Sequence, residues 1–234
     1  MKKILSVLIL VLISNQLFSQ ETTSKIFTIK KVDTEFNIDK LYNKQTGEKV
    51  KKKEFKELIK KNPNLPLERI YDKYGEIIKY YFNPIPSNIK MKRSGNYQPK
   101  NGELFPDFVL KTIDNETINL NALKGKLIIL RFELFADNFR FKKDEIAELD
   151  TKINKSNRQS EIEAIIIFTT QKEEVLRSFD IENSNFKLIP NGDGFHNRCE
   201  INRYPTTIII DKNGKLIDTF KYIYDINIDE LLNR

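Results

Sequence analysis

The C-terminal half of the chain alternates between runs dominated by apolar residues and stretches with a helical period. The segments "KLIILRF" (126–132), "EIEAIIIF" (161–168) and "TTIIID" (206–211) are typical of strands that are covered on both faces of a sheet. Between the first two, residues 139–153 carry an approximate apolar stripe formed by Phe141, Ile146, Leu149 and Ile153. This stripe predicts an amphipathic helix that packs on the sheet.

The elements that follow complete the pattern of this half. We predict a helix at 171–180, a strand at 186–190, a short helix at 195–199, a strand pair around the turn "KNG", and a terminal helix at 227–234. A hairpin around Asp114 and Asn115 precedes the first central strand. Strand, helix and strand, then a strand pair and a final helix, predict an α/β sandwich with a mixed central sheet.

Residues 21–83 have a pattern of their own and predict a small α+β module. We expect strands in "KIFTIKKV" (25–32) and "FNIDKLYN" (36–43), and a strand, glycine turn and strand across 69–82. Between them, Phe55, Leu58 and Ile59 share one face of a predicted helix that stops before Pro63. Residues 84–100 hold three prolines and several cationic residues, and we interpret them as a linker to a domain at 101–234.

The first twenty residues have the features of a secretory signal peptide. A cationic start is followed by an apolar core of ten residues and a more polar end with a small residue at Ser19. Ten apolar residues are too few to span a bilayer. We therefore expect residues 1–20 to be a signal peptide, and the protein to be exported to the periplasm or secreted without spanning the membrane.

The charge is unevenly distributed. The net charge is +7, and counting Lys and Arg against Asp and Glu gives +9 for residues 21–100 but −4 for residues 101–234. In an exported protein a basic region favours contact with anionic lipid, polysaccharide or an acidic protein face, and not with nucleic acid. The alternative is a lysine-rich face that is simply solvated.

Two stretches carry a family resemblance. "FPDFVL…INLNALKGKLIILRF" and "NRYPTTIIIDKNGKLI" resemble the thioredoxin-like superfamily, specifically its exported TlpA-like redoxins, over residues 102–234. The resemblance implies a thioredoxin-like α/β sandwich with a cis peptide bond before Pro205. It also implies that Tyr204, Pro205 and Thr206 border a groove for an extended peptide.

The same resemblance implies a Cys-x-x-Cys pair at the start of the helix after "LIILRF". Here the matching positions are Asp137 and Arg140, or Phe139 and Lys142, depending on which side the count begins. Neither choice supplies sulfur, and the Thr-x-x-Cys of the peroxidase relatives is missing as well. The loop could instead be a recognition surface, or an ordinary helix start with Asp137 as the N-cap. Its candidate binding residues are Phe135, Ala136, Asp137, Asn138, Phe139 and Arg140.

Cys199 is the single cysteine of the chain, so no internal disulfide can form. One interpretation is a reactive thiol, although one sulfur cannot resolve its own mixed disulfide. The other is packing, because free cysteine is among the most buried residue types. With His196 it spells His-x-x-Cys, from which a catalytic dyad or half a zinc site could be drawn, but zinc normally takes three or four protein ligands.

The sequence therefore predicts an exported redoxin-like protein that has lost its redox pair. The expected function is non-catalytic binding of a protein or an extended peptide segment in the cell envelope, with no cofactor and no metal. The alternative is a thiol-disulfide oxidoreductase or peroxidase that acts through Cys199 or with a thiol supplied by a partner.

Overall fold

The computed structural model describes residues 36–63, 65–83, 99–136, 143–179 and 183–234. The predicted signal peptide, the predicted strand at 25–32, nearly all of the predicted linker and loop residues 137–142 lie outside these described residues. Residues Asn37–Arg234 belong to one compact unit. The division of this unit at residues 84–100 stays a prediction.

The small module, residues 37–83, is a three-stranded sheet covered by one helix. Its strand order is β1-β3-β2, with β1 parallel and β2 antiparallel to β3. Of the predicted apolar helix face, Phe55 and Leu58 pack on a cluster of Leu41, Tyr80 and Phe82, and Ile59 is not part of it. The elements are β1 (Leu41–Asn43), α1 (Lys52–Lys61), β2 (Leu67–Tyr71) and β3 (Ile77–Phe82).

The predicted strand at 36–43 is wrong in its first part. Residues Ile38–Lys40 form a turn of 3-10 helix, because the side chain of Asn37 accepts a hydrogen bond from the Asp39 N–H at 2.9 Å. This local bond competes with an extended backbone, as Asn side chains commonly do. Only the last three residues of the predicted strand, β1, join the sheet.

Residues from 101 onward form a mixed five-stranded sheet in the order β10-β9-β6-β7-β8. Strands β6, β7 and β8 are parallel, whereas β9 is antiparallel to both β6 and β10. A separate antiparallel hairpin pairs β4 with β5 around Asn115, as predicted. The strands are β4 (Val109–Lys111), β5 (Thr117–Asn119), β6 (Leu127–Glu133), β7 (Ile162–Phe168), β8 (Phe186–Ile189), β9 (Thr206–Ile210) and β10 (Leu216–Phe220).

Each face of this sheet has its own apolar core. Helices α2, α3 and α5 contribute to the cluster on one face, and the β4–β5 hairpin and α4 contribute to the cluster on the other. All seven residues of β6 and of β7 are buried, which confirms the predicted α/β sandwich with a mixed sheet. The helices are α2 (Lys143–Lys155), α3 (Lys172–Ser178), α4 (Asp193–Arg198) and α5 (Ile228–Leu232).

Helix α2 shows why the apolar stripe could be read from sequence. Ile146, Leu149 and Ile153 are buried on its inner face, because positions three and four residues apart lie on the same side of a helix. The described helix begins at Lys143, so the predicted start at 139 lies outside the described residues. None of the helices in the described segments is both long and apolar enough to cross a bilayer.

Candidate functional site

The predicted binding residues that the structure describes lie at one end of the sheet. Phe132, near the carboxyl end of β6, pairs with Thr206, the first residue of β9. This register brings the loop that follows β6 beside the segment Tyr204–Thr206, which we call the peptide edge. The Tyr204–Pro205 peptide bond is cis. The edge and the start of the loop are thus neighbours through β6–β9 pairing.

The side chains at this end differ in what they present to solvent. Phe135 is 38% exposed, whereas Ala136 is buried and belongs to the core cluster of α2. Thr206 is also buried, and its hydroxyl donates to the Arg203 carbonyl at 2.8 Å. Of these predicted residues, Phe135 and the half-buried pair Tyr204 and Pro205 offer side-chain surface. Asp137, Asn138, Phe139 and Arg140 lie outside the described residues.

His196 fixes the position of Tyr204. Its Nε2 lies 2.9 Å from the Ile167 carbonyl, and its Nδ1 lies 3.0 Å from the Tyr204 hydroxyl. Because a carbonyl oxygen only accepts, Nε2 carries the proton and Nδ1 accepts from Tyr204. The two rings also stack with centroids 5.5 Å apart. Burial lowers the pKa of His196 to about 4, against the opposing effect of the Ile167 carbonyl, so the ring is neutral near pH 7.

The dyad or zinc pair that could be drawn from His196 and Cys199 has no support in this arrangement, because both ring nitrogens are engaged with other groups. Within the described segments, no group of three or more His, Cys, Asp and Glu side chains could hold a metal ion. From the sequence, His196 was a possible partner of Cys199. In the structure, His196 instead forms a hydrogen bond with Tyr204.

Cys199 is a core residue. It follows the last turn of α4, is 4% exposed, and packs in the cluster that includes Phe108, Phe195 and Ile201. Burial raises the pKa of its thiol to about 12, and the nearby charge of Arg198 offsets only part of this effect. Because the thiolate is the reactive form, the protonated and buried sulfur favours the packing interpretation over the reactive one.

A buried ionic network lies near the carboxyl end of β6. Arg131 is fully buried, and its guanidinium donates to Glu133 at 2.8 Å, to the Thr207 hydroxyl at 3.1 Å and to Glu145 at 2.7 Å. Glu133 is itself buried, and Glu145 belongs to the first turn of α2. The network therefore connects β6 and β9 to the first turn of α2.

Sequence reasoning missed this network because Arg131 lies in a run dominated by apolar residues (126–132) and Glu133 directly follows it. The available signal was their spacing: residues two apart in a strand point to the same face. A positive and a negative side chain on one buried face must be paired to offset their desolvation.

An exposed aromatic pair lies at the same end of the sheet. The rings of Tyr222 and Tyr224 stack with centroids 5.0 Å apart and planes 11° apart, and the Lys221 amino group lies 4.6 Å from the Tyr222 ring centroid. Both rings are exposed. The pair follows β10, whose carboxyl end lies beside the amino end of β9 because the two strands are antiparallel. Sequence reasoning did not identify this pair.

Comparisons with known proteins agree with this architecture. The family model described as "AhpC/TSA family" matches residues 101–219. Thioredoxin-like protein YneN of Bacillus subtilis is 28% identical over 120 residues, which is 50% of this chain and 69% of that protein.

Solved structures of low sequence identity are also similar. The thioredoxin domain of a thiol-disulfide oxidoreductase from Bacteroides vulgatus is 18% identical with a TM-score of 0.46, and the match covers 58% of this chain and 95% of that one. A thiol peroxidase from Chromobacterium violaceum is 16% identical with a TM-score of 0.45, covering 55% of this chain and 79% of that one.

The family match begins at residue 101, after the small module, and it spans the central strands and the peptide edge. The chain has one cysteine, and it lies outside the loop after β6. The matched residues are more than half of the whole sequence, so this chain belongs to the AhpC/TSA family and carries a thioredoxin-like redoxin domain that lacks the Cys-x-x-Cys pair.

Proposed function

We propose that this protein is an exported redoxin-like protein of the cell envelope that binds an extended segment of a partner protein without thiol chemistry. The observation that carries the proposal is the burial of its single thiol, Cys199, whose pKa is raised to about 12. Thiol-disulfide exchange needs an accessible thiolate and, to release the mixed disulfide, a second thiol. Cys199 meets neither requirement within this chain.

The surface at the end of the sheet supports the binding part of the proposal. Phe135, Tyr222 and Tyr224 are exposed aromatic side chains, and neighbouring exposed aromatics commonly mark places where a partner packs. The half-buried Tyr204 is fixed by its hydrogen bond to His196. Less side-chain entropy is therefore lost when a ligand contacts Tyr204. An extended segment along the peptide edge would contact Tyr204 and Pro205, and the exposed ring of Phe135 marks the described start of the neighbouring loop.

The thiol question can be answered with an insulin reduction assay. Wild type and Cys199→Ser are compared in dithiothreitol, with an active thioredoxin as the positive control. We expect neither form to accelerate insulin precipitation beyond dithiothreitol alone, because the sulfur is buried and protonated. Acceleration by wild type that disappears in Cys199→Ser would overturn the proposal and support a thiol-disulfide oxidoreductase or peroxidase instead.

The binding part is tested by capture from envelope extract. Wild type, a Tyr222→Ala/Tyr224→Ala double variant and Leu104→Ala serve as baits. Leu104 is 64% exposed and bridges to Lys215, which precedes β10 at its other end, so its truncation is a matched control for loss of exposed apolar surface. We expect a partner that wild type and Leu104→Ala retain and the double variant loses. Failure of wild type to recover any partner across buffers would count against binding.

The basic region at 21–100 supports an additional contact with an anionic surface, because its net charge is +9. Export through residues 1–20 would place this region among acidic lipids and polysaccharides. Binding to vesicles that contain anionic lipid should then weaken steeply as salt is raised, since mobile ions screen surface charges. Equal binding to neutral and anionic vesicles would contradict this contact.

A further inference from the structure

The turn between β2 and β3 in the small module reaches the redoxin domain directly. The Val109 N–H, at the start of β4, donates to the Lys73 carbonyl in this turn at 2.8 Å. The turn itself is rigid, because the Asp72 carboxylate accepts from the backbone N–H groups of Tyr74 and Glu76 at 2.9 and 3.0 Å. A well-defined turn of the module is therefore fixed against the β4–β5 hairpin.

The same turn meets helix α4 through two glycines. A Cβ atom on Gly194 would lie 2.0 Å from the carbonyl oxygen of Gly75, and a Cβ atom on Gly75 would lie 3.0 Å from the Phe195 nitrogen. Gly75 also has a φ of +79°, which side chains other than glycine rarely adopt. The module and α4 thus approach backbone to backbone, and any side chain at Gly194 would force them apart.

Helix α4 transmits this contact to the peptide edge. Two residues after Gly194, His196 holds the Tyr204 hydroxyl. At the other end of the helix, Arg198 donates to the Asp107 carbonyl at 2.6 Å and lies within electrostatic range of Asp72 in the module turn. A shift of α4 away from the module would therefore displace the group that fixes Tyr204.

We infer that the small module is an intramolecular positioning partner of the redoxin domain: the contact between Gly75 and Gly194 fixes α4, and α4 through His196 fixes Tyr204 at the peptide edge. Only the consequence for ligand binding rests on the proposed function. The family match begins at residue 101, so the segment that supplies the contact lies outside the matched domain.

The test uses the full chain with its single cysteine and single histidine as reporters. Cys199 directly follows α4 and is buried, so its alkylation by iodoacetamide under native conditions measures how often this part of the fold opens. Gly194→Ala is the main variant. Alanine is a better helix former than glycine, so any opening of α4 in this variant must come from the lost contact and not from helix propensity.

Gly75→Ala is the milder second variant, and Gly47→Ala is its matched control. Gly47 has a φ of +73° and nothing within 4 Å of its Cβ position, so alanine there adds the same backbone strain without the contact. We expect Gly194→Ala and Gly75→Ala to raise the Cys199 alkylation rate by about tenfold or more. This higher rate should not change when low concentrations of urea are added, because local opening, unlike global unfolding, exposes little new surface. The NMR signals of His196 should shift in the same variants.

The inference would be overturned if both variants were alkylated no faster than Gly47→Ala. It would also be overturned if their alkylation rates rose only in proportion to global unfolding in urea. These readouts need no ligand, so they decide the inference even if wild type captures no partner and the proposed function fails. If wild type does capture a partner, we expect Gly194→Ala to lose it while Gly47→Ala retains it. Undiminished capture by Gly194→Ala would overturn the step from α4 to Tyr204.

Discussion

The buried ring of His196 makes the stability of the fold depend on pH. The ring is 2% exposed, and its Nδ1 must stay unprotonated to accept the Tyr204 hydroxyl hydrogen. Burial lowers its pKa to about 4 from an ordinary value of 6.5. The unfolded chain therefore binds a proton at a higher pH than the folded protein does.

The magnitude follows from these two pKa values. Between pH 6.5 and pH 4 the unfolded state holds more protons, so the free energy of unfolding falls as pH is lowered through this window. The difference between the two pKa values corresponds to ~3 kcal/mol in the free energy of unfolding, and ~2 kcal/mol of this is lost by pH 5. Above pH 6.5 the histidine is neutral in both states, so its contribution to the free energy of unfolding no longer changes with pH.

The assay is urea unfolding followed by circular dichroism at pH 7 and pH 5, for wild type and for His196→Gln. Glutamine keeps a donor for the Ile167 carbonyl and an acceptor for Tyr204 but does not titrate. Carboxylates titrate in both proteins, so the difference between the two pH dependences isolates the histidine. We expect wild type to lose ~2 kcal/mol more than the variant. Equal losses, or a folded-state histidine that titrates near 6.5 by NMR, would refute the reasoning.

Two further predictions concern buried groups of the redoxin domain. Arg131→Ala should lower the free energy of unfolding by ~3–5 kcal/mol, because it leaves the carboxylate of Glu133 buried without the guanidinium. Adding Glu133→Gln should restore part of this loss in urea melts, and a double variant as unstable as the sum of both single variants would argue against coupling. In the native protein, alkylation of Cys199 should be far slower than in the urea-unfolded protein at every pH from 7 to 9, because the thiol is buried and its pKa is raised to about 12. A native rate that approaches the rate of the unfolded protein would indicate an accessible thiol.

Much of the fold was accessible from the sequence because its signals are local. Strands β6, β7 and β9 appeared as apolar runs, the Asn115 turn marked the hairpin, and the stripe of α2 marked the inner face of a helix. The error in the first part of the predicted strand at 36–43 is also local, since the Asn37 side chain caps a turn of 3-10 helix at Ile38–Lys40, whereas Leu41–Asn43 do form a strand. A pattern of apolar residues does not reveal such a bond.

The candidate site was only partly accessible. The missing thiol pair could be read directly, because it depends on which residues are present. The roles of His196 and Arg131 could not, because His196 meets Tyr204 and the Ile167 carbonyl, and Arg131 meets Thr207 and Glu145, only in the folded chain. The sequence offers Cys199 as a possible partner of His196, three residues away, whereas in the structure His196 bonds to Tyr204 across a turn.

The sequence by itself determined that this protein has one cysteine and an α/β order of elements, since residue identity and hydrophobic period are properties of single stretches of chain. Only the tertiary structure decided that this cysteine is buried and that Arg131 forms a buried ionic network near the end of β6. It alone also decided that Gly75 contacts Gly194. Burial, charge pairing and backbone contact are properties of pairs of segments. They are set when distant parts of the chain pack together, and no single stretch of sequence contains them.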